Sequence, residues 1–131
     1  MKTKLFFLAF LTSLLSWGQI TEGFESGLST SGYVTTATLS SGTWTGVDAL
    51  LRTTNKNSGT YGCQIKATTG VMNTPSLNTC GVVKFWANKV TQVSKTIGGT
   101  TTTLTATAGS TVGAFTEYTV TVNDASTAII I

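Results

Sequence analysis

From residue 33 onward the chain is written in short extended runs that stop and restart about every ten residues, each break carrying glycine, serine or asparagine. "YVTTATL" halts at "SSG" (40–42), "DALLRTT" at "NKNSG" (55–59), "CQIKA" at "TTG" (68–70) and "SKTI" at Gly98–Gly99. Runs this short cannot make a helical bundle, but they do make a stack of antiparallel strands. Threonine fills roughly a fifth of the chain, and β-branched side chains fit a pleated surface better than a helix. The expected fold is an all-β antiparallel sandwich of the jelly-roll kind. The sequence stops on the apolar "AIII", so the expectation includes a domain cut at or before its last strand or strands.

Alternation assigns the faces, because successive side chains of a strand point opposite ways. In "EYTVTV", Tyr118, Val120 and Val122 form the core face. In "YGCQIKA", Tyr61, Cys63, Ile65 and Ala67 point inward, with Gln64 and Lys66 outward. "GVVKFWANKV" is the strongest strand, with Val83, Phe85 and Ala87 inward and Val82, Lys84, Trp86 and Asn88 outward. "DALLR" reads as a strand, "VMNTPSLN" as a strand turning at Pro75, "QVSKTIGGTTTTLTATAG" as a hairpin, and "STAIII" as a separate last strand.

The beginning carries an export signal. Lys2 and Lys4 precede an apolar run from Leu5 to Leu11, and small residues follow at Ser16 and Gly18. Residues 1–18 are therefore expected to be a cleaved signal peptide, with the domain occupying 19–131. The apolar run is too short to span a bilayer comfortably, so no stable membrane insertion is expected after cleavage. Beyond this leader six basic residues face five acids. They are scattered, which argues against nucleic acid as a partner.

Cys63 and Cys80 are an even pair in a chain bound for an oxidising compartment, and a disulfide is the expected state. Closing a loop of about seventeen residues contributes roughly 3 kcal/mol in the loop-entropy treatment. Two buried free thiols are the alternative. Strict alternation puts Cys80 with Trp86, which places it in a turn ahead of the regular strand. With no histidine in the chain, a zinc site and a Ser-His-Asp machinery both lack their parts. Glu22 and Glu25 fall on opposite faces of a leading strand and read as surface acids rather than a glycosidase pair. Asp48 reads as a capping or turn acid. Glu25 is the one plausible ligand for a calcium ion at the N-terminal segment. No catalytic residue, resident metal or cofactor is expected.

The stretches "EGFESGL", "SGTWT", "NSGTYGCQIKA", "GVMNTPSLNTCGVVKFWANK", "TLTATAG" and "FTEYTVTVN" together resemble a recurrent jelly-roll module of secreted Bacteroidota proteins, similar to MAM-like and carbohydrate-binding sandwiches. The chain departs from that pattern in lacking a "DD"-type closing strand and in carrying the cysteine pair. The resemblance implies an extracellular or cell-surface, non-catalytic accessory module attached to a larger protein, often one exported by type IX secretion. Polysaccharide is the expected partner, along with downstream domains of the same polypeptide. Trp86, with Lys84 and Asn88 two residues to either side, forms the expected sugar-stacking platform, and Trp44 and Tyr33 on turns extend it. Two alternatives stand beside this. One is a structural, adhesin-like surface domain. The other is an appendage of a secreted nuclease, protease or lyase.

Overall fold

The computed structural model describes residues 21–54, 56–90 and 92–130. The expected signal peptide lies outside them. The described residues form an all-β, antiparallel, sandwich-like fold without helix. The strands are β1 (Val34–Leu39), β2 (Gly42–Arg52), β3 (Gly62–Ile65), β4 (Val71–Asn73), β5 (Leu77–Ala87), β6 (Val93–Ile97), β7 (Thr100–Leu104), β8 (Ala106–Val112) and β9 (Phe115–Ile130). Their breaks fall where the turn residues stand. The β6–β7 loop is Gly98–Gly99 with φ of 55° and 82°, the doubly positive backbone that a tight hairpin turn demands and glycine supplies at little cost.

The 16-residue β9 is the spine. β5 pairs along it from Thr116 to Thr127, β8 flanks its first residues up to Val120, and β4 and β6 flank its last residues. The expected break between "FTEYTVTVND" and "STAIII" is absent, so these are one strand. Its direction changes at Asn123, which sits at φ 50°, a left-handed backbone that asparagine tolerates better than most residues. Lys95 reaches across from β6 to the Val122 carbonyl at 3.3 Å and pairs with Asp124 beside the bend. β8 was not foreseen as a strand of its own beyond "TLTATAG". It hairpins onto β9 through Gly113–Ala114, with Val112 opposite Phe115.

Two hydrophobic clusters hold the strands. The first joins Ala37, Leu39, Trp44, Ala49 and Met72, with Phe24, Leu28, Cys63 and Ile65 packed against it. The second joins Cys80, Val93, Val120 and Val122, with Leu77, Val83, Phe85, Val90, Leu104 and Ala106 around it. The parity of β5 and β9 is as the alternation predicts. Phe85 stacks on Tyr118 with centroids 5.7 Å apart, and Val82 and Lys84 are exposed. In β3, Cys63 and Ile65 face the core, whereas Ala67 is exposed beyond the strand end.

The expected disulfide is not formed, and Cys63 and Cys80 are free thiols. They belong to different clusters, Cys63 on β3 against the first and Cys80 in β5 within the second. Nor does Cys80 sit in a turn. It lies inside β5, and the register shifts between Cys80 and Val82. There Val122 and Asn123 of β9 stand opposite Gly81 alone, so the extra residue of the bulge lies on β9, and Cys80 and Val83 both join the second cluster. Burial pushes the Cys63 thiol up to about 12 and raises that of Cys80, so both stay protonated and unreactive near neutrality.

The leading segment, expected as a strand, is instead a bent arm with no strand pairing from residue 21 to 33. Its carboxylates tie it down. Glu22 accepts hydrogen bonds from the Phe24 amide, both Ser40 and Ser41 hydroxyls and the Ser41 amide, at 2.8–3.1 Å. Partial burial opposes its charge, but the bonds from Ser41, Phe24 and Ser40 outweigh that and hold its carboxyl below the ordinary value. Both Glu25 oxygens accept from the Thr60 amide at 3.1 and 2.9 Å. Gly59 suits that place, because its φ of 68° is a left-handed backbone that glycine adopts at little cost, and it stands directly against the Glu25 carboxylate. Glu25, nominated above as a calcium ligand, therefore serves as a backbone pin.

Candidate functional site

The hairpin of β2 and β3 creates two faces with different roles. Ala49 and Leu51 pair with Ile65 and Cys63, and this face closes on the first cluster. Leu50 and Arg52, with Gln64 and Lys66, take the other face by alternation. Tyr33 stands directly ahead of β1, whose first residue, Val34, pairs with Ala49. The same alternation therefore brings Tyr33 to the Leu50–Gln64 face.

The side chains on that face are tied to one another. The Gln64 amide donates to the Tyr33 hydroxyl at 3.2 Å, and its carbonyl oxygen accepts from Arg52 Nε at 3.1 Å. Lys66 places its ammonium 5.8 Å from the centre of the Tyr33 ring, within cation–π range. The same ammonium lies 3.3 Å from Asp48, and Thr69 donates to that carboxylate at 2.5 Å. Leu50 is buried on the same side of the sheet, while Tyr33 keeps 40% of its surface exposed. The result is an exposed phenol whose orientation is set by an amide, with a guanidinium and an ammonium beside it.

Asp48 organises one edge of this patch. It sits at φ 58°, between the β2 residues that pair with β4 and those that pair with β3. Its carbonyl accepts from the Lys66 amide at 3.0 Å, and Lys66 in turn accepts from the Gly70 amide. The hydrogen bond from Thr69, followed by that from Lys66, holds the Asp48 carboxyl below its ordinary value. Asp48, read from the sequence as a capping or turn acid, instead lies inside β2 at a break in the strand ladder, and its carboxylate holds Lys66 and Thr69 beyond the end of β3.

The five nominated contact residues do not form one platform. Tyr33 is exposed and belongs to the patch just described. Trp44 is a core residue, not a turn residue open to ligand. It is 5% exposed, stacks edge-on with Phe24 at 5.4 Å and donates its indole N–H to the Ser41 hydroxyl at 2.8 Å. Its position in β2 opposite Ala37 puts it on the inward side. Lys84 and Trp86 share the outward face of β5, opposite Thr119 and Glu117 of β9. Lys84 is exposed and Trp86 half-buried. Asn88 is exposed and lies past the end of the strand. No hydrogen bond within this second group parallels the Tyr33–Gln64–Arg52 chain.

Sequence reasoning missed Arg52, Gln64, Lys66 and Asp48 as companions of Tyr33. The outward parity of Gln64 and Lys66 was visible. What was not visible was the β2–β3 register that sets them beside Arg52. Among the described residues no group of three or more Asp, Glu, Cys or His residues is arranged to hold a metal ion. Compared with protein-family models, with curated proteins and with solved structures, the chain matches none.

Proposed function

We propose that this chain is a secreted, non-catalytic binding module of jelly-roll type, that its ligand is a polysaccharide, and that Tyr33 is its principal contact. The single observation that carries this reading is the exposed Tyr33 ring, held in place by Gln64. Sugar rings present an apolar C–H face that stacks on an aromatic ring, and their hydroxyls seek planar amide and guanidinium partners. A tyrosine pre-set by a hydrogen bond loses little rotamer freedom on binding. The likeness to modules of secreted Bacteroidota proteins, the signal-like leader and the scattered acids support the same reading. Trp86 and Lys84 form a secondary contact at most, since the indole is half-buried.

The test is retention of the purified protein on immobilised polysaccharides. Tyr33→Ala is expected to abolish retention while leaving the thermal transition in place, because the ring is exposed. Trp86→Ala is expected to weaken retention far less. Equal retention of wild type and Tyr33→Ala removes the reading.

A structural or appendage role within a larger surface protein is favoured by a separate feature. Val82 and Val112, on β5 and β8 to either side of β9, are 53% and 59% exposed, and apolar side chains left open on the surface suit contact with another domain of the same polypeptide.

A further inference from the structure

The charge around Tyr33 narrows the ligand class. Arg52 commits its Nε to Gln64, which turns the guanidinium into a fixed plane. Each of the five acids is placed elsewhere. Glu22 binds the Ser40–Ser41 turn, Glu25 the Thr60 amide, Asp48 Lys66 and Thr69 and Asp124 Lys95, while Glu117 faces Trp86 across β5 and β9. Among the described residues, then, Arg52 has no carboxylate partner. Lys66 shares its charge between Asp48 and the Tyr33 ring. The patch carries an aromatic platform, one oriented cation without a counter-ion and a second cation half compensated.

Building on the glycan reading above, we infer that the Tyr33 patch takes an anionic polysaccharide, the sugar ring stacking on Tyr33 and a carboxylate or sulfate oxygen pairing with Arg52 and Lys66. A guanidinium fork matches a carboxylate or sulfate with two parallel hydrogen bonds, a geometry a neutral hydroxyl cannot use. The Gln64 bridge links the two halves of the site, because one amide orients both the ring and the guanidinium.

The experiment is affinity electrophoresis and calorimetry of the full chain with polygalacturonate, a sulfated galactan and an uncharged glucan. The variants are Tyr33→Ala, Arg52→Gln and Arg52→Lys, each checked for an unchanged thermal transition. The expected result is binding to an acidic polymer at least about tenfold tighter than to the glucan, the scale of a charge-assisted hydrogen bond. That binding weakens with added salt, falls about tenfold in Arg52→Gln and is lost in Tyr33→Ala. Arg52→Lys recovers it only in part, because lysine keeps the charge without the fork. Preference for polygalacturonate assigns the carboxylate as the anion, and preference for the galactan assigns the sulfate. Equal binding to the glucan, unaffected by Arg52→Gln but lost in Tyr33→Ala, overturns the anionic class and leaves the glycan reading standing. Acidic binding that survives Tyr33→Ala is charge adsorption alone and overturns both. Binding to none of the three polymers overturns the inference and removes its footing.

Discussion

The two ends of the fold bury their cores in different ways and dress their outer faces differently. In β1–β4 the core is built around one indole, with Trp44 packed by Phe24 from the arm and by Ala37, Leu39 and Met72. In β5–β9 it is built from Val93, Val120 and Val122 with Cys80. Outside, the first region presents Tyr33, Gln64, Arg52 and Lys66 joined by hydrogen bonds and a cation–π contact. The second presents Val82, Lys84 and Trp86 opposite a row of Thr121, Thr119 and Glu117. The same alternation produces both outer faces. What separates them is cross-linking among the outward side chains. A face whose polar groups fix one another is pre-organised for a ligand, and a face of independent side chains must lose entropy before it can bind.

The comparison breaks first at the two tryptophans. Trp44→Ala empties the first core and is expected to cost about 3–5 kcal/mol, read as a fall in the denaturation midpoint. Trp86→Ala, at a half-buried site, is expected to cost less than half of that. Equal losses would mean that the indoles play the same part. Next comes Val120→Ala, in the valine core, with an expected loss of about 2 kcal/mol. It should leave polysaccharide retention intact in the folded protein, because the patch is anchored to the other cluster.

A smaller effect tests the arm. The Glu22 carboxyl is held below its ordinary value of 4.5. It therefore contributes stability that is present above that value and disappears as pH falls through the lower folded value. Glu22→Gln should flatten the acid limb of the stability profile, and an unchanged limb would mean that the Ser40–Ser41 bonds do not form. The smallest expected effect is that of reductant. Because both cysteines are thiols, dithiothreitol should leave the thermal transition where it is, and thiol reagents should label both residues only on unfolding. A transition lowered by several degrees on reduction would restore the disulfide.

Much of the fold was legible because it is written in alternation and punctuation. The inward side of β5 and β9, the Gly98–Gly99 hairpin and the breaks near 40, 57 and 69 follow from side-chain period and turn chemistry alone. Three features escaped for local backbone reasons. The register shift between Cys80 and Val82 adds a residue on β9 and leaves Cys80 in the same cluster as Val83, and no side-chain pattern announces it. Asn123 lets β9 bend and continue where its polar neighbours suggested a stop. Trp44, flanked by Thr43 and Thr45, follows the strand rule, yet its nearness to "SSG" suggested a turn. At the site, Tyr33 was visible as an aromatic among polar residues. Its companions depend on a register between segments 12 residues apart, as in the Arg52–Gln64 bond, and register is a property of the hairpin rather than of either strand.

The most direct measurement is an amide chemical-shift titration of the folded chain with oligogalacturonate. The largest shifts are expected at Tyr33, Arg52, Gln64 and Lys66, with Lys84, Trp86 and Asn88 nearly still. Shifts centred on Trp86 and Lys84, with Tyr33 and Gln64 unmoved, would contradict the account.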